Sequence, residues 1–187
     1  MTVLDVLKTS SLYLNISNML APIFNEEQNV SEEATNELNK LLLCLNNTIS
    51  QIASTYFEVL SSSVIEVQNG EYDLSGLTHK CLDVKSLTSG GRKVKFTVEN
   101  GILRTVRNGS FTITYSYVPE ELDEDDDIEI FDIIDLGTLA MGVAADYCYM
   151  NAIYDDGQMW HGRFVDNLRL IKANHIKNAY ILPRRWL

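Results

Sequence analysis

Carboxylates are the most concentrated reactive groups in this chain. Between Glu120 and Asp135 the sequence places ten acids and no base. Side chains of this type at this density suit three kinds of chemistry. They solvate a linker and supply the first turn of a following helix, where the helix dipole favours anions. Asp125, Asp126 and Asp127 offer oxygens to a divalent ion, although the run lacks the alternation and the glycine of a calcium loop. The third reading is an electrostatic surface centred on Glu124, Asp125, Asp126 and Asp127, which meets a basic partner or repels DNA that must slide past.

The other reactive groups are scattered. His79, His161 and His175 lie far apart, with no zinc-ligand spacing. Cys44, Cys81 and Cys148 are odd in number and form no CxxC pair, so they read as reduced, mostly buried thiols of a cytosolic setting. His161 beside Trp160 reads as a partly exposed helix residue, and nothing local turns Cys148 into a nucleophile. Gly90-Gly91-Arg92-Lys93 precedes a strand instead of joining a strand to a helix, so it reads as a turn and not as a phosphate loop. The chain has no nucleophile elbow, zinc-protease motif, Walker loop or dinucleotide fingerprint. No catalytic residue, metal site or cofactor is therefore expected.

The C-terminus carries the opposite charge. After Asp166 come Arg169, Lys172, Lys177, Arg184 and Arg185 without an acid, and the chain closes on Trp186-Leu187. A chain end frays unless something holds it, and Trp and Arg are enriched in interface hot spots. Arg184, Arg185, Trp186 and Leu187 are thus the candidate docking tail, with a merely solubilising tail as the plainer reading.

The elements that must position these groups follow from periodicity. With 187 residues, 45% hydrophobic and 22% charged, the chain reads as a folded, soluble protein of one ordinary domain. No apolar run is long enough to span a membrane, and the N-terminus lacks the build of a signal peptide. The formal net charge of −11 argues against wrapping nucleic acid, because phosphate binding needs clustered Lys and Arg. Residues 1–22 predict a helix or helical arm, opened by a capping box of Thr2 and Asp5 and ending near Pro22. Ser31 caps a second helix striped by Leu38, Leu41, Leu42, Leu45, Ile49, Ile52 and Tyr56.

From Ser61 the period changes to two. Val64–Val67 and Leu82–Leu87 predict strands. Runs at 93–98, 102–106 and 111–117 are separated by Asn100-Gly101 and Asn108-Gly109, which predicts a three-stranded meander with two tight turns. Helix resumes near Ile130 with Gly137, Ala140, Gly142, Ala144 and Ala145, whose small size implies close approach of a neighbouring backbone. Asp155-Asp156-Gly157 reads as a turn before a last helix striped by Trp160, Phe164, Leu168 and Ile171. The expected class is α+β: mainly a helical bundle with an inserted antiparallel β-meander and an extended C-terminal tail. Its segments are 1–22 (arm), 23–60 (helical), 61–118 (β insertion), 119–172 (acidic linker and helical pair) and 173–187 (tail).

This order resembles the head-to-tail adaptors of tailed bacteriophages, especially the tail tubular protein A type of short-tailed phages. The residues that carry the likeness run Phe111-Thr-Ile-Thr-Tyr115-Ser-Tyr-Val-Pro119-Glu-Glu-Leu-Asp-Glu-Asp-Asp-Asp127. It continues through Leu139-Ala-Met-Gly-Val-Ala-Ala-Asp-Tyr147 to Phe164-Val-Asp-Asn-Leu168, and in layout covers roughly Ser31 to Ile171. The resemblance implies a non-enzymatic virion protein of the neck, present in host cytoplasm during assembly. Its copies form a homo-oligomeric ring, commonly a dodecamer, below the portal protein. The ring extends the channel through which DNA passes without specific binding, and it docks the tail or nozzle protein; no membrane is involved. In that family the C-terminal segment often inserts against the portal, the role implied here for Arg184, Arg185, Trp186 and Leu187. The N-terminal twenty residues look longer and more apolar than the family pattern. The rivals are a different ring of the same neck and an acidic inhibitor that mimics DNA.

Overall fold

A computed structural model describes residues 1–128 and 133–179. The chain divides into a helical unit, Met1–Ile49 with the chain from Glu121 onward, and a β unit, Ser50–Glu120. The α+β class is therefore observed.

In the helical unit, α1 (Val3–Tyr13) opens on the expected capping box: Thr2 Oγ1 accepts the Asp5 amide at 3.1 Å, and Asp5 Oδ2 accepts the Thr2 amide at 3.3 Å. Val3, Val6 and Leu7 are fully buried. The helix stops at Asn15, whose φ of 57° is left-handed, and α2 (Ser17–Phe24) follows with Pro22 inside it. The predicted stop at Pro22 thus falls two residues early. Next, α3 (Glu32–Gln51) starts where Ser31 Oγ accepts the Ala34 amide. It buries Leu38, Leu41, Leu45 and Ile49 from the predicted stripe and ends in a wide turn, Ile52–Tyr56.

After the β unit, Asp135 caps α4 (Leu136–Met150), accepting the Thr138 amide at 2.9 Å and the Thr138 hydroxyl at 2.8 Å. The expected turn at Asp155-Asp156-Gly157 is not where the chain reverses. Ala152, at φ 60°, sits at the left-handed position after α4. The Ala152 amide returns to the Tyr149 carbonyl and the Ile153 amide to that of Cys148, which closes the helix end. Asp155 and Asp156 instead occupy the first turn of α5 (Tyr154–Ala179), where the dipole favours them. This helix runs past Ile171, so residues 174–179, expected in an extended tail, are helical; the loss of an apolar stripe there does not end a helix already propagating.

The β unit holds seven strands: β1 (Val59–Val67), β2 (Glu71–Asp73), β3 (Cys81–Ser89), β4 (Arg92–Lys93), β5 (Phe96–Glu99), β6 (Ile102–Thr105) and β7 (Gly109–Tyr117). They form two antiparallel sheets, β1-β7-β3-β4 and β2-β6-β5. The expected meander is therefore corrected: β5 and β6 make a hairpin, but β6 and β7 belong to different sheets. Type I′ two-residue turns need positive φ at both positions. Asn100 (51°) and Gly101 (78°) meet this, whereas at the second pair only Gly109 is positive. Asn108 instead accepts the Gly70 amide through Oδ1 at 2.7 Å. The predicted alternation in β7 holds, with Phe111, Ile113 and Tyr115 in a core shared with Ile65, Val67, Leu87 and Leu103.

Within α4, Gly142 faces side chains of α3 and α5. A Cβ on Gly142 would stand 2.5 Å from Thr48 Cγ2 and 3.0 Å from Phe164 Cε2, while one on Gly162 of α5 meets nothing within 4 Å. Gly142→Ala should cost about 1–3 kcal/mol by overpacking. Gly162→Ala should gain about 0.5–1 kcal/mol from lost backbone entropy in the unfolded chain. Urea unfolding midpoints of the two variants check the opposite signs.

Candidate interaction surface

The acidic segment is held by backbone, which leaves its carboxylates in water. Asn46 of α3 clamps Leu122 from both sides: Oδ1 accepts the Leu122 amide at 2.8 Å and Nδ2 donates to the Leu122 carbonyl at 3.0 Å. Asp123 and Asp126 close a turn, with the Asp123 amide donating to Asp126 Oδ2 at 2.7 Å and the Asp126 amide to the Asp123 carbonyl at 3.2 Å. The segment then runs beside the N-terminus. Val3 donates its amide to the Asp126 carbonyl at 3.0 Å, Ile128 donates to the Met1 carbonyl at 2.8 Å, and Thr2 pairs with Asp127.

Glu124, Asp125, Asp126 and Asp127 are all exposed. They do not form the first turn of the following helix: α4 begins at Leu136 with no acid in that turn, and Asp135 is its cap. The helix N-terminus they approach is that of α1. Sequence reading missed this because the pairing joins residues more than 120 positions apart. Among the described residues no group of three or more His, Cys, Asp or Glu side chains is arranged to hold a metal ion. Arg184, Arg185, Trp186 and Leu187 lie outside the described residues.

The thiols and histidines sit as follows. Burial pushes the Cys44 thiol up to about 12, with smaller contributions from Asp146 and Cys148. Burial first, and Asp156 second, raise Cys148; burial and then Asp83 raise Cys81. Thiols held in this direction are weak nucleophiles, because the thiolate is the reactive form. His161 on α5 is half-buried and lies edge-on to Tyr149, with ring centres 6.3 Å apart. In the β unit, His79 stacks on Tyr117 at 4.2 Å, and its Nδ1 stands 3.7 Å from Glu120.

The sequence matches no family model and no curated protein.

A second feature was not read from the sequence. Around the α4–α5 junction, Tyr149, Met150, Ile153 and Tyr154 are exposed to water, Tyr154 at 66%. Nearby polar groups brace this end of the unit. Burial pushes Glu37 upward, but hydrogen bonds from Lys40 and from the Tyr147 hydroxyl outweigh it and hold the carboxyl below its ordinary value. Trp160 of α5 stacks on Tyr13 of α1 at 4.8 Å. Among the described residues no helix is long and apolar enough to cross a membrane.

Two outcomes follow. Asn46→Ala removes both bonds to Leu122 and should destabilise by about 1–3 kcal/mol, with the largest rise in hydrogen-exchange rate at the amides of Leu122 and Asp123. Burial raises the Asp146 carboxyl, opposed by a hydrogen bond to Asn47 and the charge of His161. The folded state therefore holds that proton more tightly than the unfolded chain, so ionisation at neutral pH costs stability. Asp146→Asn should raise the melting temperature at pH 7, and the gain should vanish as pH falls below the ordinary carboxylate value of 3.8.

Proposed function

We propose that the chain is a structural virion protein, a head-to-tail adaptor whose copies form a ring below the portal, extend the DNA channel and dock the tail. The observation that carries this reading is the exposed apolar cluster of Tyr149, Met150, Ile153 and Tyr154 on the helical unit. Apolar surface in water costs about 25 cal/mol per Å², and contiguous patches of it mark interaction sites. A ring subunit needs side surfaces that its neighbours cover. The closed end of α4 fixes this cluster without help from a partner, so the surface is present before assembly.

The acidic segment supports the same role through its charge. Its exposed carboxylates are available to a basic surface within the assembly. The basic, aromatic chain end supplies the contact to the portal, and the tail or nozzle protein takes the opposite side of the ring.

Quantitative mass spectrometry of purified phage particles tests the reading, with crosslinking to name the neighbours of Arg184, Arg185, Trp186 and Leu187. The expected result is a copy number near that of the portal, with the tail joined to it. Absence from particles together with abundance in infected cytoplasm would sink the adaptor and promote the DNA-mimic inhibitor.

A further inference from the structure

The β unit carries a basic strip that the adaptor reading has not used. Residues 92–107 hold Arg92, Lys93, Lys95, Arg104 and Arg107 against one acid, Glu99. Across β5 and β6, Thr97 pairs with Arg104 and Phe96 with Thr105, which gathers Lys95, Phe96, Arg104 and Val106 around an open groove of about 580 Å³. Arg104 is already held, by Glu71 at 3.1 Å and Glu99 at 3.3 Å. Arg92, Lys93, Lys95 and Arg107 are exposed and have no ion pair among the described residues. Val106, 92% exposed, adds apolar surface at the same place. β5 is the outer strand of its sheet, so the groove stands at an open edge.

The helical unit presents the matching sign. Glu121, Asp123, Glu124, Asp125, Asp126 and Asp127 are exposed and make no ion pair among the described residues. Their backbone is fixed by Asn46, Met1 and Val3. A backbone already fixed loses little freedom on docking, so more of the attraction survives as binding.

We infer that the basic groove of the β unit receives the acidic segment 121–127 of a second copy of this chain. One chain thus carries both halves of the contact: Lys95 at the groove with Arg92, Lys93 and Arg107 on the adjoining segments, and the acids of 121–127, none of them in an ion pair among the described residues. Because the two halves differ, a head-to-tail contact is heterologous: every joined pair still offers one groove and one acidic segment, and the series closes into a ring or runs on as a filament according to the rotation between copies. Closure into a ring rests on the adaptor reading; the contact between two copies does not.

Full-length protein labelled with nitrogen-15 and unlabelled protein are mixed at low salt and treated with a zero-length carbodiimide, which joins lysine amines to carboxylates in ion-pair contact. Mixed-isotope peptides linking Lys93 or Lys95 to an acid among 121–127 are expected. They should fade at about 1 M salt, where the screening length is about 3 Å.

Charge reversal gives the second arm, read by sedimentation. K93E/K95E alone and E124K/D125K alone should each associate at least about tenfold more weakly than the native chain, because like charges then face each other. An equal mixture of the two should recover association, since each supplies what the other lacks. Crosslinks confined to single-isotope peptides, or a mixture no better than its parts, overturn the contact. Retention of a short DNA duplex by the native protein and its loss in K93E/K95E, without mixed-isotope links, also overturns it and gives the groove to a polyanion. Particles that contain the protein but lack this link overturn the contact and leave the adaptor standing. The link in purified protein, with the protein itself missing from particles, upholds the contact and overturns the adaptor.

Discussion

The antiparallel pairing of β1 with β7 is the constraint on which the rest of the architecture depends. It runs from Val59 opposite Tyr117 to Val67 opposite Gly109, so the first and last strands of the β unit lie side by side. The helical unit is split in sequence, with 71 residues from Ser50 to Glu120 between its two parts. Were that insertion a flexible loop, bringing its ends together would cost about 4 kcal/mol beyond a constant. A folded insertion whose terminal strands already pair removes most of that cost. α3 and the acidic segment can then belong to one helical unit.

What the return of the chain achieves is visible at residues 122–128. Asn46 fixes Leu122, the Asp126 carbonyl accepts the amide of Val3, and the Ile128 amide donates to the Met1 carbonyl. These bonds engage the backbone of the segment, so they do not consume its charges. The carboxylates stay solvated next to an N-terminus whose dipole favours anions. Concentration of like charge in one segment is tolerable because water screens exposed groups; buried at the same density it would not be.

Local signals in the sequence were legible wherever the deciding chemistry is local. Thr2 with Asp5 and Ser31 with Ala34 act within four residues and are found as read, whereas the stripe read as far as Tyr56 holds within α3 only to Ile49, with Leu42 half-buried. The Asn100-Gly101 turn is legible for the same reason. Asn108-Gly109 misleads because its outcome is decided by a distant partner: Asn108 spends its side chain on Gly70, and the following strand enters the other sheet. The companion pair Asn69-Gly70 was passed over, although its φ values of 54° and 76° are those of a tight turn, and its residues join β1 to β2. A Cβ on Gly70 would meet the Thr105 carbonyl at 2.6 Å, so both backbone angle and space demand glycine there. No pattern along the chain reports that contact. The candidate surface follows the same division. The acids were evident from composition, but their support by Asn46 and Val3, and the apolar cluster formed as α4 turns into α5, exist only once the chain has folded.

Chain reversal after α4 shows how a local departure exposes a surface. Alanine pays a steric cost for left-handed backbone that glycine does not, yet Ala152 adopts φ of 60°. Two hydrogen bonds to the last turn of α4 compensate. With the turn so tight, neighbouring Tyr149, Met150, Ile153 and Tyr154 remain outside the core that Leu139, Val143 and Phe164 fill. A longer loop could fold back and cover them; this one is too short to do so. The exposed apolar cluster is therefore a consequence of how the helix is terminated, and among the described residues nothing removes it from water.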